Sequence, residues 1–350
     1  MLRAVKFGII GTGVGADFCA RGFSVIADSG IADLVAVTSR REERARDFAS
    51  RWGLRLSYTD YDQMLQEAGI DAVVINTPHY LHYPIAIDAI KAGVHTLVDK
   101  PMAVNLKQAD DMIEEAKKRR VKLGVIFQSR FDPVFRKVKA TAQEGAFGRL
   151  ILGETVVKWY RTQDYYGDSA WRGCWATEGG GALINQAIHT IDLLLWIMGL
   201  PKTLCAQTDT FSHDIEVEDL AVAVIRFSNG ALGVVQGSTA LYPGLPTRLE
   251  IHGTKGTVII EGEMLKRWSV LGDEEEIAEQ AKVGLESWAR PELVPATNHA
   301  SLIKDFAQAI LEDREPYVNG IEGRRSLELI RGIYESGRTQ KPAEFPLKEE

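Results

Sequence analysis

The chain has 350 residues, 45% hydrophobic and 25% charged, with 32 glycines and 12 prolines. At ~150 residues per domain this is room for two domains, and the ordinary globular composition argues against disorder, collagen or a short-repeat solenoid. With 41 Lys+Arg against 48 Asp+Glu the net charge is −7, and no basic tract offsets it, so nucleic-acid binding has no electrostatic footprint.

The predicted elements begin with VKFGII (5–10), a buried-strand pattern followed by glycine-rich turns and a helix. LVAVTS (34–39) is a second strand and EERARDFASRWG (42–53) a helix closed by Gly53. AVVIN (72–76), the helix LHYPIAIDAIKAG (81–93), HTLVDKP (95–101), the helix LKQADDMIEEAKKRR (106–120) and KLGVIF (122–127) continue the alternation. Near-continuous apolar strands separated by helices imply a doubly wound parallel sheet covered on both faces, a Rossmann domain over residues 1–123. From 124 to 350 the pattern is that of an α+β domain with a large, mostly antiparallel or mixed sheet. A helix (132–144) precedes LILGETVVKWYR, an aromatic and glycine-rich segment and a helix over 182–198. Strand-like runs then follow between 203 and 262, with hairpin turns at Asn229-Gly230 and Lys255-Gly256. Residues 272–298 read as an acidic loop or excursion, and helices over 300–313 and 322–337 end the chain.

Cys19, Cys174 and Cys205 fit neither a disulfide framework nor a C-x-x-C metal pattern, which points to free thiols in a reducing cytosol. The start MLRAVKFGIIGTGVGADFCA has the outline of a signal peptide, but Asp17 interrupts it. The most apolar run, ALINQAIHTIDLLLWIMGL, carries Asn185, His189 and Asp192, so no membrane span is expected and the protein is read as cytoplasmic.

Gly11-Thr12-Gly13-Val14-Gly15-Ala16 lies directly between a strand and a helix, the context that makes G-x-G-x-x-G/A informative. Gly11 permits the tight turn, Gly13 lets backbone approach a pyrophosphate, and Ala16 allows close helix–strand packing. The helix N-terminus turns unpaired N–H groups to the anion. The second strand ends in Thr38-Ser39-Arg40-Arg41, without the carboxylate that usually holds the ribose 2′-hydroxyl of NAD. The reading is therefore NAD(P) with a lean to NADP, Ser39 and Arg40 receiving a 2′-phosphate. The arginines equally suit the solvated start of a helix.

NTPHYLHYPIAIDAIKAGVHTLVDKPMA (76–103) and GGGALINQAIHTIDLLLWIMG (179–199), together with the glycine turn, resemble the Gfo/Idh/MocA family of oxidoreductases along essentially the whole chain. Asp99-Lys100-Pro101 stands where the family usually has Glu-Lys-Pro, and Asn185 precedes His189 where it usually has Asp. The resemblance implies a sugar or polyol substrate, catalytic Lys100 and His189, a cis bond before Pro101, and a homodimer or homotetramer. It also implies cofactor contacts from Asn76, Thr77, Pro78, His82 and Asp99, with Gln128 and Arg130 touching nicotinamide or substrate. Arg130 is an equally good salt-bridge partner.

The chemistry agrees. An imidazole titrating near 6.5 can take the hydroxyl proton as hydride leaves, worth ~10²–10⁴-fold, and an ammonium can stabilise the developing alkoxide. Asn185 and His189, four apart on a predicted helix, share a face, with Asp192 near enough to steady the imidazole. Asn185 cannot carry a proton, so its role is substrate positioning. Trp171, Arg172 and Trp175 offer aromatic faces and a guanidinium to a sugar, and Tyr160, Tyr165 and Tyr166 fall at the rim. Large aromatics are also core material. His79 and His82 lack a third ligand, so no metal is expected.

The leading function is an NAD(P)-dependent dehydrogenase acting on a secondary hydroxyl of a sugar, sugar derivative or cyclitol. The alternatives are an NAD-dependent glycosidase working by transient C3 oxidation and elimination, and a non-catalytic dinucleotide or sugar sensor.

Overall fold

In the computed structural model residues 3–262, 264–274 and 295–348 are described. They fall into two compact units, one running to Phe131 and resuming as far as Arg324, the other starting at Asp132 and again at Arg325.

The first unit holds strands β1 (Val5–Ile10), β2 (Ala32–Thr38), β3 (Leu56–Tyr58), β4 (Ala72–Ile75), β5 (His95–Val98) and β6 (Leu123–Val125). They pair in parallel in the order β3-β2-β1-β4-β5-β6, the doubly wound arrangement in which ligands bind beyond the strands' C-terminal ends. Helices α1 (Val14–Ile26), α2 (Glu42–Trp52), α3 (Tyr61–Glu67), α4 (His79–Lys91) and α5 (Leu106–Arg119) connect them. Successive strand residues face opposite ways. Phe7 meets Phe23 of α1 at a ring separation of 5.0 Å, while neighbouring Gly8 leaves room for Met64 of α3. Gly53 closes α2 at φ 65° and the Asn105 side chain caps α5, as their residue types foretell. The sequence reading has no β3 or α3, because three residues, LSY, carry no period.

The second unit contains α6 (Pro133–Gln143), the short helices α7 (Gln163–Gly167) and α8 (Trp175–Glu178), and α9 (Ile188–Met198). Its strands are β7 (Leu150–Lys158), β8 (Pro201–Asp209), β9 (Leu220–Phe227), β10 (Leu232–Ser238), β11 (Arg248–Gly253), β12 (Gly256–Glu261), β13 (Met264–Val270), β14 (Asp273–Glu274) and β15 (Ala343–Glu344). They form one mixed sheet, β14-β13-β12-β11-β7-β10-β9-β8-β15, in which, among the described residues, only β7 and β10 pair in parallel. Alternation sets its two faces. Gly153 of β7 admits Leu194 and Met198 of α9, and Gly237 of β10 admits Leu183. On the other face Val222, Val224 and Leu232 are exposed. The stretch Trp175–Met198 is long and apolar enough to cross a membrane, yet 78% of its most apolar window is buried in the protein.

Two helices follow, α10 (Thr297–Leu311) and α11 (Gly320–Thr339). α10 returns to the first unit: Phe306 lies 6.3 Å from Phe7, and a side chain at Gly22 or Gly124 would strike Ile303 or Phe306. The division foreseen at residue 123 therefore shifts to 131, and a later segment rejoins the first unit because its apolar face completes that sheet's cover. Most of the acidic stretch read as an excursion lies outside the described residues.

Candidate active site

The first group of site residues collects at the ends of β1, β4, β5 and β6. Gly11 has φ 111°, and a Cβ there would fall 2.0 Å from the Asn76 carbonyl oxygen, so only glycine fits. Gly13 differs: no atom lies within 4 Å of its would-be Cβ, which leaves open space at the N-terminus of α1. Gly15 packs on the side chains of Asn76 and Asp99. Ala16 is fully buried and Val14 is exposed beside the turn. The ladder continues past the strands, with the amide of Gly11 donating to Thr38 O, Asn76 to Ile10 O and Asp99 to Ile75 O. Thr12 Oγ1 reaches Ser39 Oγ at 3.5 Å. Arg40 is exposed, with no carboxylate in ion-pair range among the described residues.

The Asp99 carboxylate takes the amide of Lys100 at 2.8 Å and Asn76 Nδ2 at 3.2 Å, so it braces the turn with both oxygens. The Lys100-Pro101 peptide is cis. His82, expected to touch the cofactor, lies against backbone: its ring is wholly buried, with Nδ1 2.8 Å from Pro101 O and Nε2 2.8 Å from Thr77 O. Burial pushes its pKa below the ordinary histidine value, against the pull of Asp99 and the two carbonyls. A neutral imidazole has a single N–H and satisfies only one of the two oxygens. Arg130 is 2% exposed and its guanidinium meets Glu322 at 2.6 Å, the ion pair that one of its two readings foresaw. Three polar atoms here are buried without a partner: Asn76 Oδ1, Thr77 Oγ1 and Gln128 Oε1. Orphaned acceptors and hydroxyls around an open glycine turn fit a bound nicotinamide dinucleotide, whose amide and ribose hydroxyls would satisfy them.

Asn185 and His189 stand in the second unit on a helix whose first part, Ala182–Ala187, is π-helical and runs into α9. Such wide turns recur at functional sites. Glu218, absent from the sequence reading, anchors its start. Its carboxylate accepts from the amides of Gly181 (2.8 Å) and Leu183 (2.9 Å) and from the Tyr334 hydroxyl (3.0 Å), and its own carbonyl accepts from Ala182. Four groups that a helix N-terminus leaves orphaned or a core would bury unpaired are thereby satisfied. The glycine run follows from this: a Cβ on Gly180 would meet Tyr334 Oη at 2.2 Å, and one on Gly181 would meet Glu218 O at 1.9 Å. Burial raises the Glu218 pKa to about 7, its hydrogen bonds holding it from going higher. Asp192 accepts from Ser326 Oγ at 2.7 Å.

Around Asn185 the structure gathers Glu178, Tyr165, Gln186 and Arg172. Asn185 Nδ2 donates to the buried Glu178 at 2.5 Å, and Gln186 Nε2 donates to the Tyr165 hydroxyl at 2.8 Å. The Arg172 guanidinium lies 4.2 Å from the Tyr165 ring and 5.3 Å from Trp171. Trp175 is exposed at its edge, with Nε1 donating to Glu216 O. Tyr160 packs edge-on to Tyr242. Tyr166 is buried and bonded to Thr239, so its rim placement is corrected to a core one. Glu178 and Glu218 escape a sequence reading because a buried carboxylate is defined by distant donors, and no spacing announces it.

Comparisons with known proteins agree with this geometry. Residues 5–127 match the family model "Oxidoreductase family, NAD-binding Rossmann fold" and residues 135–259 the "GFO/IDH/MocA C-terminal domain". Myo-inositol 2-dehydrogenase of Thermotoga maritima is 30% identical over 264 residues, 73% of this chain and 75% of that protein. 1,5-Anhydro-D-fructose reductase of Ensifer adhaerens is 25% identical over 319 residues, 89% and 91% of the two chains. Among solved structures, the WlbA dehydrogenase of Bordetella pertussis, in complex with NADH and UDP-GlcNAcA, superposes with a TM-score of 0.87 at 30% identity, over 99% of this chain and 100% of that one.

Proposed function

The chain belongs to the Gfo/Idh/MocA family of oxidoreductases, and from that premise we propose that it is a nicotinamide-dependent dehydrogenase acting on a secondary hydroxyl of a sugar, sugar derivative or cyclitol. The observation that carries the reading is the set of orphaned polar atoms, Asn76 Oδ1, Thr77 Oγ1 and Gln128 Oε1, around a glycine turn whose one open position is Gly13. Relatives that act on inositol or bind NADH and a sugar nucleotide support the substrate class. Bound dinucleotide supplies the hydride acceptor. In this reading a ring nitrogen of His189 takes the hydroxyl proton, the Lys100 ammonium stabilises the developing alkoxide, and Asn185 positions the substrate. Asp99 and His82 hold the backbone that carries Lys100. An exposed Arg40 beside Ser39, in a turn without a 2′-hydroxyl carboxylate, favours NADP(H). The uncovered apolar sheet face at Val222, Val224 and Leu232 favours a homodimer or homotetramer through that face.

Titration of the protein with NADH and NADPH, followed by nucleotide fluorescence, tests the cofactor reading. Saturable binding is expected, tighter for NADPH. NADH bound tenfold more tightly would refute the 2′-phosphate preference, and no binding of either would refute the proposed function.

A further inference from the structure

The Asn185 amide has two ends that differ in hydrogen-bonding sense and hardly at all in shape, so its surroundings decide which end faces which way. Glu178 is the group that decides. It is 1% exposed, and the proton and hydride transfers make no use of it. Its Oε2 accepts the amide of Gly173 at 2.6 Å and its Oε1 accepts Asn185 Nδ2 at 2.5 Å. A second acceptor lies at the same end of the amide: the Tyr165 hydroxyl oxygen, 3.4 Å from Nδ2. Burial keeps that phenol protonated, so it stands there as a neutral group. Half a turn of the amide would set Oδ1 against a buried carboxylate oxygen, which costs more than an ordinary lost hydrogen bond. The contact is built locally. Glu178 ends α8, Gly179 follows at φ 84° and Gly180 at φ 154°, and the glycine run brings the chain back until residue 185 meets the carboxylate seven positions before it.

We propose that Glu178 is a positioning residue: it orients the Asn185 amide so that the side chain meets a substrate hydroxyl through its carbonyl oxygen, as an acceptor. This rests on the reading of Asn185 as the residue that positions the substrate, and it adds how that residue is aimed.

The test is a cycle of near-isosteric variants: parent, Glu178→Gln, Asn185→Asp and the double variant. Asn185→Asp alone sets two carboxylates in contact, so one must take up a proton or move away. In the double variant the glutamine can keep Gly173 on its oxygen and donate its amide to the aspartate, which restores one donor and one acceptor across the contact. Urea midpoints at pH 5 and pH 8 read the orientation without any turnover. Asn185→Asp should lose stability against the parent as the pH rises, and the double variant should lose less than half as much. The kcat/KM of folded protein, measured with the sugar or cyclitol that the parent oxidises best, reads the positioning. A fall of at least tenfold is expected in each single variant and a return to within threefold of the parent in the double, with NADH affinity unchanged throughout. Should Asn185→Asp not fold, the double variant set against Glu178→Gln carries the same comparison. Single variants as active as the parent, or a double variant no better than the worse single, would overturn the proposal. A parent that reduces no cofactor fails the dehydrogenase reading separately. The urea cycle then still decides, and a double variant as sensitive to pH as Asn185→Asp overturns the role given to Glu178.

Discussion

Replacing Glu218 by Gln tests whether a buried charge is retained to hold the helix that carries Asn185 and His189. Lifting a carboxyl from 4.5 to about 7 corresponds to ~3 kcal/mol at 1.36 kcal/mol per pKa unit. The folded protein holds this proton more tightly than the unfolded chain does. Stability from this group is therefore fully present below pH 4.5 and declines as the pH rises to 7, beyond which the whole penalty stands. Glutamine is neutral throughout and imitates the protonated acid. Urea denaturation should find the stability of Glu218→Gln relative to the parent shifting in the variant's favour by ~3 kcal/mol between pH 5 and pH 8. Activity should move the opposite way. Gln can accept with one end only, so one of the three donors, Gly181 N, Leu183 N or Tyr334 Oη, is left unpaired and the start of the helix loosens. A variant less stable than the parent by the same amount at both pH values would refute the reasoning, since the carboxylate would then be stabilised by its donors and not penalised by burial.

The glycine turn separates fold from function. Gly11→Ala meets a backbone oxygen at positive φ and should destabilise by ~2 kcal/mol or more, whereas Gly13→Ala should melt within ~0.5 kcal/mol of the parent yet bind NADH at least tenfold more weakly. Equal losses in both would deny Gly13 its role. His82→Phe keeps a buried ring but drops the hydrogen bond its single N–H makes to the flanking backbone carbonyls; a loss of kcat with little change in melting temperature is expected, partly rescued in His82→Gln, and unchanged kcat in His82→Phe would reduce the histidine to packing. Trp175→Ala removes an exposed ring that touches Tyr334 and should raise KM more than it lowers kcat, as steady-state kinetics would report.

Much of the first unit is readable without coordinates, because each strand is a short apolar run and each helix announces its end. Gly53 and Asn105 are where a C-cap and an N-cap belong, and the elements they bound fall within a residue or two of expectation. The phosphate turn is legible for the same reason: Gly11 is required by its own φ and by one neighbouring strand. What could not be read depends on residues far apart in the chain. Phe306 reaches Phe7 across some three hundred positions, and nothing local tells a helix which sheet it will cover. His82 looks like a cofactor residue from its place after β4, and nothing local announces the two carbonyls against its ring. Glu218 reads as one more charged residue before a strand until Gly181, Leu183 and Tyr334 close on it. The helix over 182–198 is visible as a helix, but its π-helical opening turns are not, since that widening accompanies the Glu218 contact and not a residue type.

The central claim is dehydrogenation of a sugar-type hydroxyl with Lys100 in the chemistry, and absorbance at 340 nm tests it most directly. Parent protein and Lys100→Ala are each incubated with NAD⁺ or NADP⁺ and a panel of monosaccharides, cyclitols and sugar acids. The account predicts steady cofactor reduction matched by ketone product in the parent, and its loss in a Lys100→Ala variant that still binds NADH. Folded, dinucleotide-binding protein that reduces no cofactor with any member of the panel, or a Lys100→Ala variant that turns over like the parent, would contradict it.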